Sequence, residues 1–414
     1  MTRQDQIRPG YKQTEVGVIP EDWEVRRFSE HFTIYAGGDV PKHSLSQIRS
    51  EFHPFPIFAN AIKNKGLYGY TNEMRSSADS ITITARGYLG HAEYRNERFF
   101  PIVRLLVLEP SGSLDAKFTM YAINDRVEFA IESTGVPQLT APQVGKYAVG
   151  APIDLHEQKL IAAALSDADR LIAALEALIA KKRDLKQAAM QQLLTGKTRL
   201  PGVGPSALEY KQTEVGVIPK DWDVVRLGKV GGVIRGASPR PKGDRRYYGG
   251  PIPRLMVEDV TRDRNCLINT VDSLTIEGAK RSRPCPAGTL TIVCSGTVGI
   301  TSILAVDACI HDGFLALVDL QSGVSTDFVF HLLNTQQEKF DGSATHGGVF
   351  TNLTTKILEN FAVALPSKAE QTAIAEVLSD MDTDLTALET QRDKAKEIKQ
   401  GMMQELLTGK VRLI

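Results

Sequence analysis

The chain is written twice, and this repetition limits its possible folds more than any other feature of the sequence. Residues 11–25 read YKQTEVGVIPEDWEV and residues 210–224 read YKQTEVGVIPKDWDV, with 13 of 15 positions identical at an offset of 199. Residues 193–200 (LLTGKTRL) return as residues 406–413 (LLTGKVRL), and Glu157-Gln158 returns as Glu370-Gln371, both at an offset of 213. Self-similarity at a fixed period means structural units built on one plan. The units span 11–200 and 210–413, and the Pro/Gly-containing residues 201–209 (PGVGPSALE) link them. Because the offset grows by 14 (213 − 199), the second unit has the longer middle. The ends agree while the middles, 26–150 and 226–350, diverge, so one frame carries two unlike inserts.

Each unit closes with a segment that reads as a long helix. Asp154 stands three residues before Glu157, and Ser367 three before Glu370, the spacing of a capping box in which the Glu reaches back to the cap. Thr195-Gly196 and Thr408-Gly409 supply a glycine for the left-handed position that ends a helix. Apolar residues step by four and three: Ile161, Leu165, Ala168, Ile172, Leu175 and Ile179 in the first, and Ile374, Leu378, Met381, Leu385 and Leu388 in the second. That spacing predicts helix-on-helix packing as a coiled coil. The seam weakens where Lys182, Lys186, Arg392 and Lys399 occupy it. Two equal units on a short linker can close with pseudo-twofold symmetry, which sets the two helices antiparallel. The expected fold is mixed α/β: insert domains at 1–152 and 210–366, long helices at 153–200 and 367–414, and the linker at 201–209.

Several chemistries can be tested against the sequence. Gly196-Lys197-Thr198 looks like the end of a phosphate-binding loop, but the glycine required five residues earlier is Gln191, and the repeat copy has Val411 in place of the hydroxyl residue. No G-x-G-x-x-G, H-E-x-x-H or G-x-S-x-G occurs, and the eight histidines show no metal-ligand spacing. Glu397-Ile398-Lys399 reads as a solvated helix face rather than a nuclease E-x-K. The cysteines Cys266, Cys285, Cys294 and Cys309 form no C-x-x-C pair, which points to a reducing compartment without structural zinc. No stretch has the length of a membrane span or the form of a signal peptide, so a cytoplasmic protein is expected.

Lys+Arg equals Asp+Glu at 49 each, so any nucleic-acid face must be local. Between Arg226 and Arg283 there are 13 basic and 6 acidic residues; between Arg26 and Gly150 there are 14 and 12. Both inserts show short β-rich runs separated by turn residues, such as Ser80–Thr84 and Thr289–Val293. In the first insert Lys63, Asn64, Lys65, Tyr68 and Tyr70 interleave cation, amide and ring, and Arg86, Tyr88, His91 and Arg95 follow a predicted strand. In the second, Arg235, Ser238, Arg240, Lys242, Arg245, Arg246 and Tyr248 lie on a Pro/Gly-rich loop, with Arg254 just beyond. Arg281 and Arg283 add charge, and Ser295 and Thr297 sit on a glycine turn. Arg and Asn can pair with base edges and Lys with phosphates, so these are the candidate DNA-binding residues; no catalytic or metal residue is assigned. Trp23 and Trp222, at matched positions, read as packing anchors, and the identical Tyr11 and Tyr210 segments as frame.

The doubled Y-K-x-T-E-V-G-V-I-P-x-D-W segments resemble the specificity subunit of type I restriction-modification enzymes. So do Pro366 through Glu370-Gln371 with Ile374, Leu378, Asp380 and Asp382, and both L-L-T-G-K-x-R-L ends. Ile234-Arg235-Gly236, Pro251-Ile252-Pro253, Gly288, Gly296, Gly299 and Leu353 resemble its target-recognition domain. The resemblance implies a non-catalytic subunit whose two domains each read one half of a split, asymmetric site on double-stranded DNA. It implies helices that set the spacing and dock two modification (methyltransferase) subunits, and restriction (translocase and nuclease) subunits that join them. S-adenosylmethionine, ATP and Mg would lie on those partners and none on this chain. The alternative is a coiled-coil scaffold whose inserts bind proteins.

Overall fold

The structure, a computed structural model, describes residues 8–130, 137–204, 209–263, 266–267, 271–343, 345–347 and 350–413. It divides into two compact units, Met1–Glu176 with Thr390–Ile414, and Ala177–Glu389. The division cuts both long helices, Leu155–Leu193 and Lys368–Leu406, whereas the sequence repeat breaks at the linker.

In the first unit Tyr11–Thr14 and Gly17–Pro20 form a hairpin, and Trp23–Arg27 pairs antiparallel with Ala148–Pro152. Between those strands the insert builds an antiparallel sheet in the order Phe32–Ala36, Leu106–Pro110, Ser80–Ile83, Ala92–Arg95. A smaller sheet, Leu67–Thr71, Phe55–Phe58 and Phe100–Pro101, stands beside it. The second unit repeats the plan. A hairpin (Tyr210–Thr213, Gly216–Pro219) and a strand pair (Asp223–Arg226 with Ala362–Leu365) frame a sheet ordered Gly232–Arg235, Phe314–Val318, Leu290–Val293, Thr301–Leu304, Cys266–Leu267. Its second sheet runs Asp272–Leu274, Tyr248–Leu255, Ala308–Ile310, Arg283–Cys285. The central strands Ser80–Ile83 and Leu290–Val293 are buried along their whole length, which is why they read as continuous apolar and Thr runs.

Trp23 and Trp222 are fully buried, each in the core of its own unit, as the matched anchors require. Against each lies the tail of the opposite sequence copy. Gly409 is left-handed (φ 65°) and a Cβ there would meet Pro20 Cγ at 2.4 Å; Gly196 (φ 67°) would meet Pro219 Cγ at 2.5 Å. Glycine is thus needed twice over, for the helix stop and for close approach. Arg412 then forks onto Glu157 (2.6 and 2.7 Å) and reaches Asp22 (2.8 Å). In the same way Arg199 pairs with Glu370 and reaches Asp221 (2.9 Å).

These contacts correct the capping-box expectation. Asp154 does cap, accepting from the His156 N–H at 2.8 Å, and Ser367 stands 3.4 Å from the Glu370 N–H. The glutamates, however, do not turn back to the cap. Both are buried and serve the arginine of the opposite tail. The glutamines beside them complete the joint: Gln158 accepts from the Asp115 N–H and donates to the Pro152 carbonyl, and Gln371 does the same with Ser325 and Pro366.

Within each unit the long-helix segments run antiparallel. In the second, Lys182 meets Asp384 (2.9 Å), and Lys186 meets Asp382. In the first, Lys399 meets Asp169 (2.6 Å) and Lys396 meets Glu176 (2.7 Å). Three of the seam cations, Lys182, Lys186 and Lys399, are therefore neutralised by acids from the facing helix, while Arg392 pairs with Asp393 on its own helix (2.8 Å). Ile161, Leu165, Ile179, Ile374 and Leu378 are buried apolar positions of the seam.

His331, 1% exposed, bonds to Ser379 on the long helix at 3.1 Å and lies near Asp382 and Lys186. Burial pushes its pKa down to about 4. The folded state thus holds this proton less tightly than the unfolded chain. Its contribution is complete above pH ~6.5 and is lost as the pH falls toward 4, up to about 3 kcal/mol. We expect the denaturation midpoint of the second unit to fall over that window, and His331→Gln to flatten the decline. An unchanged slope in the variant would exclude His331 as its cause.

Candidate nucleic-acid interface

In the first insert the chain makes a tight left-handed turn at Asn64 (φ 51°), Lys65 (φ 50°) and Gly66 (φ 78°). Two non-glycine residues held there are unusual and require support from their surroundings. Ala59 N–H donates to the Gly66 carbonyl (2.8 Å), Lys65 N–H to that of Ile62 (2.9 Å), and Arg95 to that of Lys65 (2.8 Å). The turn leaves Lys63, Asn64 and Lys65 exposed. Tyr68 is exposed and Tyr70 half-buried.

Arg95 is not a surface reader. It is 5% exposed, donates to Thr82 Oγ1 (2.9 Å) and stacks 3.7 Å above the Phe58 ring, and burial pushes its pKa down to about 10. Its role is to brace the lysine turn from below. Arg254 is internal in the same way: 5% exposed and paired with Asp272. Asn64, Lys65, Tyr70 and Arg95 come together around a hollow of about 280 Å³.

Arg86 and Tyr88 project from the turn after the strand Ser80–Ile83, and Asn60 ties this turn to the lysine loop by bonding the Arg86 carbonyl (2.7 Å) and the Ala85 N–H (2.6 Å). The Tyr88 ring meets the His91 ring edge-on at 6.2 Å. His91 (3.2 Å) and Lys65 (3.8 Å) both face Glu93. Burial raises the Glu93 pKa, but the His91 hydrogen bond and the charges of Lys65 and Arg95 outweigh it and hold the carboxyl below its usual value.

In the second insert Asp312, which the sequence did not single out, organises the basic loop. Ser238 donates to its carboxylate at 2.6 Å, Arg240 pairs with it at 3.5 Å, and Arg235 donates to its carbonyl at 3.1 Å. The Ser238 bond is the main reason that Asp312 stays ionised below the ordinary carboxylate range. Arg246 pairs with Asp244 (2.7 Å), and Arg246 and Arg281 lie 5.3 and 4.7 Å above the Tyr247 ring. Tyr248 donates to the Pro239 carbonyl (2.8 Å) and Arg283 to that of Arg235 (3.3 Å). Lys242 and Arg245 are exposed, with no hydrogen bond or ion pair to the described residues. Ser295 is half-buried and Thr297 exposed.

The two inserts, unalike in sequence, share the construction of this face. Thr84 N–H bonds the His91 carbonyl and Gly90 N–H that of Thr84; Val293 bonds Ile300 and Gly299 bonds Val293 in the same pattern. Gly87 and Gly90 are left-handed, as are Gly296 and Gly299. Arg86 bridges Gln138, and Ser295 bridges Asn352. Leu139 N–H then bonds the Ala85 carbonyl, Leu353 N–H that of Cys294, and Thr140 and Thr354 cap short helices. Arg86, Tyr88, His91 and Gln138 therefore occupy the places of Ser295, Thr297, Ile300 and Asn352. The shared traces in sequence are R-G-x-x-G beside S-G-x-x-G, and Q-L-T beside N-L-T.

Among the described residues no group of His, Cys, Asp or Glu is placed to hold a metal, and no helix is long and apolar enough to cross a membrane. The type I restriction modification DNA specificity domain matches residues 20–182 and again 219–400. The putative type I restriction enzyme MjaX specificity subunit of Methanocaldococcus jannaschii is 27% identical over 425 residues, 97% of each chain. The MjaVIII specificity subunit of the same organism is 23% identical, over 95% of this chain and 94% of the relative. The crystal structure of the type I restriction-modification S subunit from M. genitalium has the same fold, with a TM-score of 0.65 at 16% identity, over 93% of this chain and 96% of that one. Two matched domains on a doubled frame leave one conclusion: the chain belongs to the type I restriction-modification DNA specificity family, as a specificity subunit with two target-recognition domains.

Proposed function

We propose that each insert reads one half of a split, asymmetric DNA site, and that the long helices set the spacing between the halves and dock two modification subunits. Those partners carry S-adenosylmethionine and methylate a flipped base. Restriction subunits bring ATP, Mg, translocation and cleavage. The assembly works in the cytoplasm, and this chain contributes recognition but no catalysis. One observation carries the reading: the same loop scaffold occurs in both inserts with different side chains at matched places, Arg86 and Tyr88 against Ser295 and Thr297. A shared scaffold with unlike side chains presents two different hydrogen-bonding patterns to DNA.

The test is a gel shift of the full chain with its modification subunits. Tight binding is expected only on duplexes holding both half-sites, and scrambling either half should cost about 10³-fold or more, toward the non-specific level. Affinity should fall by several decades between low and high salt, as phosphate contacts release counterions. Equal binding to intact and half-scrambled duplexes, or salt-independent binding, would favour a protein-binding scaffold.

A further inference from the structure

Arg86 and Arg104 in the first unit converge on one atom. Arg104 donates to Gln138 Oε1 at 2.7 Å and Arg86 to the same oxygen at 3.5 Å. Since both guanidiniums can only donate, the amide atom between them must be the oxygen. Both arginines are exposed, and no carboxylate of the described residues bonds either one. Arg49, Arg27 and Arg126 of this unit are paired with Glu97, Glu15 and Asp125, whereas the exposed Arg8, Arg75 and Arg98 bond no carboxylate of the described residues. What sets Arg86 and Arg104 apart is that they share one acceptor. Two like charges sharing one neutral acceptor repel each other. Their remaining N–H donors are free to meet an external group rich in acceptors.

The backbone supports the same conclusion. Arg104 follows Val103 in a turn where both are left-handed (φ 63° and 23°), a strained choice for non-glycine residues. The matched turn of the other insert can be located by its bonds. Gly37 N–H bonds the Leu105 carbonyl and Leu105 N–H that of Ile102; Gly236 bonds Phe314 and Phe314 bonds His311. Val103-Arg104 thus stands where Asp312-Gly313 stands in the second unit. There the turn holds Ser238 and Arg240 on a carboxylate; here it offers a guanidinium beside Arg86 and Gln138. The same corner of each module thus carries a polar cluster of different chemistry.

We propose that Arg86, Arg104 and Gln138 form the base-reading centre of the first module, with the guanidinium pair taking the two acceptors of a guanine edge in the major groove. Gln138 Nε2, which has no partner among the described residues, donates to a neighbouring acceptor. The assignment rests on the reading that this module contacts DNA. It adds Arg104 and Gln138, 34 residues apart, to the specificity-determining set.

The experiment selects random duplexes on the full chain with its modification subunits, comparing the unaltered protein with Arg104→Gly, Arg104→Lys and Gln138→Ala. Arg104→Gly suits the left-handed turn, so its melting temperature should be unchanged or higher. The unaltered protein should enrich a split motif. Arg104→Gly should lose about 10- to 100-fold discrimination at one or two G·C positions of one half, with the other half intact. Arg104→Lys should lose the same preference while keeping non-specific affinity, because a point charge cannot replace the planar fork. Gln138→Ala should relax the adjoining position. An unchanged motif in all three variants would overturn the proposal. So would an even loss of affinity on every sequence with a salt slope lowered by about 1, the mark of a phosphate contact. Enrichment of no motif by the unaltered protein would instead overturn the recognition function on which the proposal rests.

Discussion

Replacing Arg199 with alanine should destabilise the second unit by about 3–5 kcal/mol, because it strands a carboxylate in the core. The Glu370 side chain is 1% exposed and that of Arg199 7% exposed. Arg199 forks between Glu370 and Asp221 and lies 5.9 Å above the Trp222 ring. Burial already pushes the Glu370 pKa up, and Arg199 is the main influence opposing it. Without the arginine, Glu370 must stay charged without a partner or take up a proton, and either costs stability. For a unit of this size the lower melting transition should drop by roughly 10 °C. Adding Glu370→Gln to Arg199→Ala should restore most of the loss, since an uncharged amide has no stranded charge to bury. Arg412→Ala should act the same way on the first unit but more weakly, because the Arg412 side chain is 27% exposed. A melting curve for Arg199→Ala within 1 °C of the unaltered protein, or no recovery in the double variant, would show that the tail joint does not depend on this pair.

That joint explains which parts of the fold could be read from the sequence. The YKQTEVGVIP, EQ and TGK-x-R segments stay alike because each tail must fit a receptor formed by the other copy's hairpin, tryptophan and glutamate. What the spacing could not reveal was the partner. Ser or Asp three residues before Glu fits a local cap as well as a distant arginine, and only the fold shows that Glu157 and Glu370 are committed to Arg412 and Arg199. Lys186 and Lys399 looked like breaks in the seam for the same reason: their acids, Asp382 and Asp169, lie 196 and 230 residues away in the chain.

The exposure of the candidate interface residues was legible where it depends on local chemistry. Left-handed and Pro/Gly-rich turns do project Lys63, Lys65, Lys242 and Arg245 into solvent. It was illegible where burial reverses a residue's role, as for Arg95 and Arg254, whose cations look identical to surface ones in sequence. It was also illegible where side chains meet across long separations, as for Asp312 with Ser238 and Gln138 with Arg104. The common scaffold of the two inserts is held by backbone bonds and a few glycines, which place almost no demand on side chains. The two copies could therefore diverge until only R-G-x-x-G beside S-G-x-x-G and Q-L-T beside N-L-T remained.

The second large effect follows from that shared scaffold. If each insert is an independent reader, residues 26–150 can be exchanged for the matching insert of another specificity subunit. The junctions fall in the paired strands Trp23–Arg27 and Ala148–Pro152, whose register (Val149 opposite Arg26, Gly150 opposite Val25) depends on backbone bonds rather than on insert side chains. The hybrid should bind the original duplex about 10³-fold or more weakly, since half of the specific contacts are gone, and bind a duplex with the donor's half-site in its place. The unexchanged insert keeps Arg235, Ser238, Arg240 and Asp312 in place, so its half should be read as before. The deciding measurement is methylation mapping across the genome of a host carrying the hybrid with its partner subunits. One half of the methylated motif should change to the donor's sequence while the other half and the spacing stay fixed. Change in both halves, or in neither, would contradict the account.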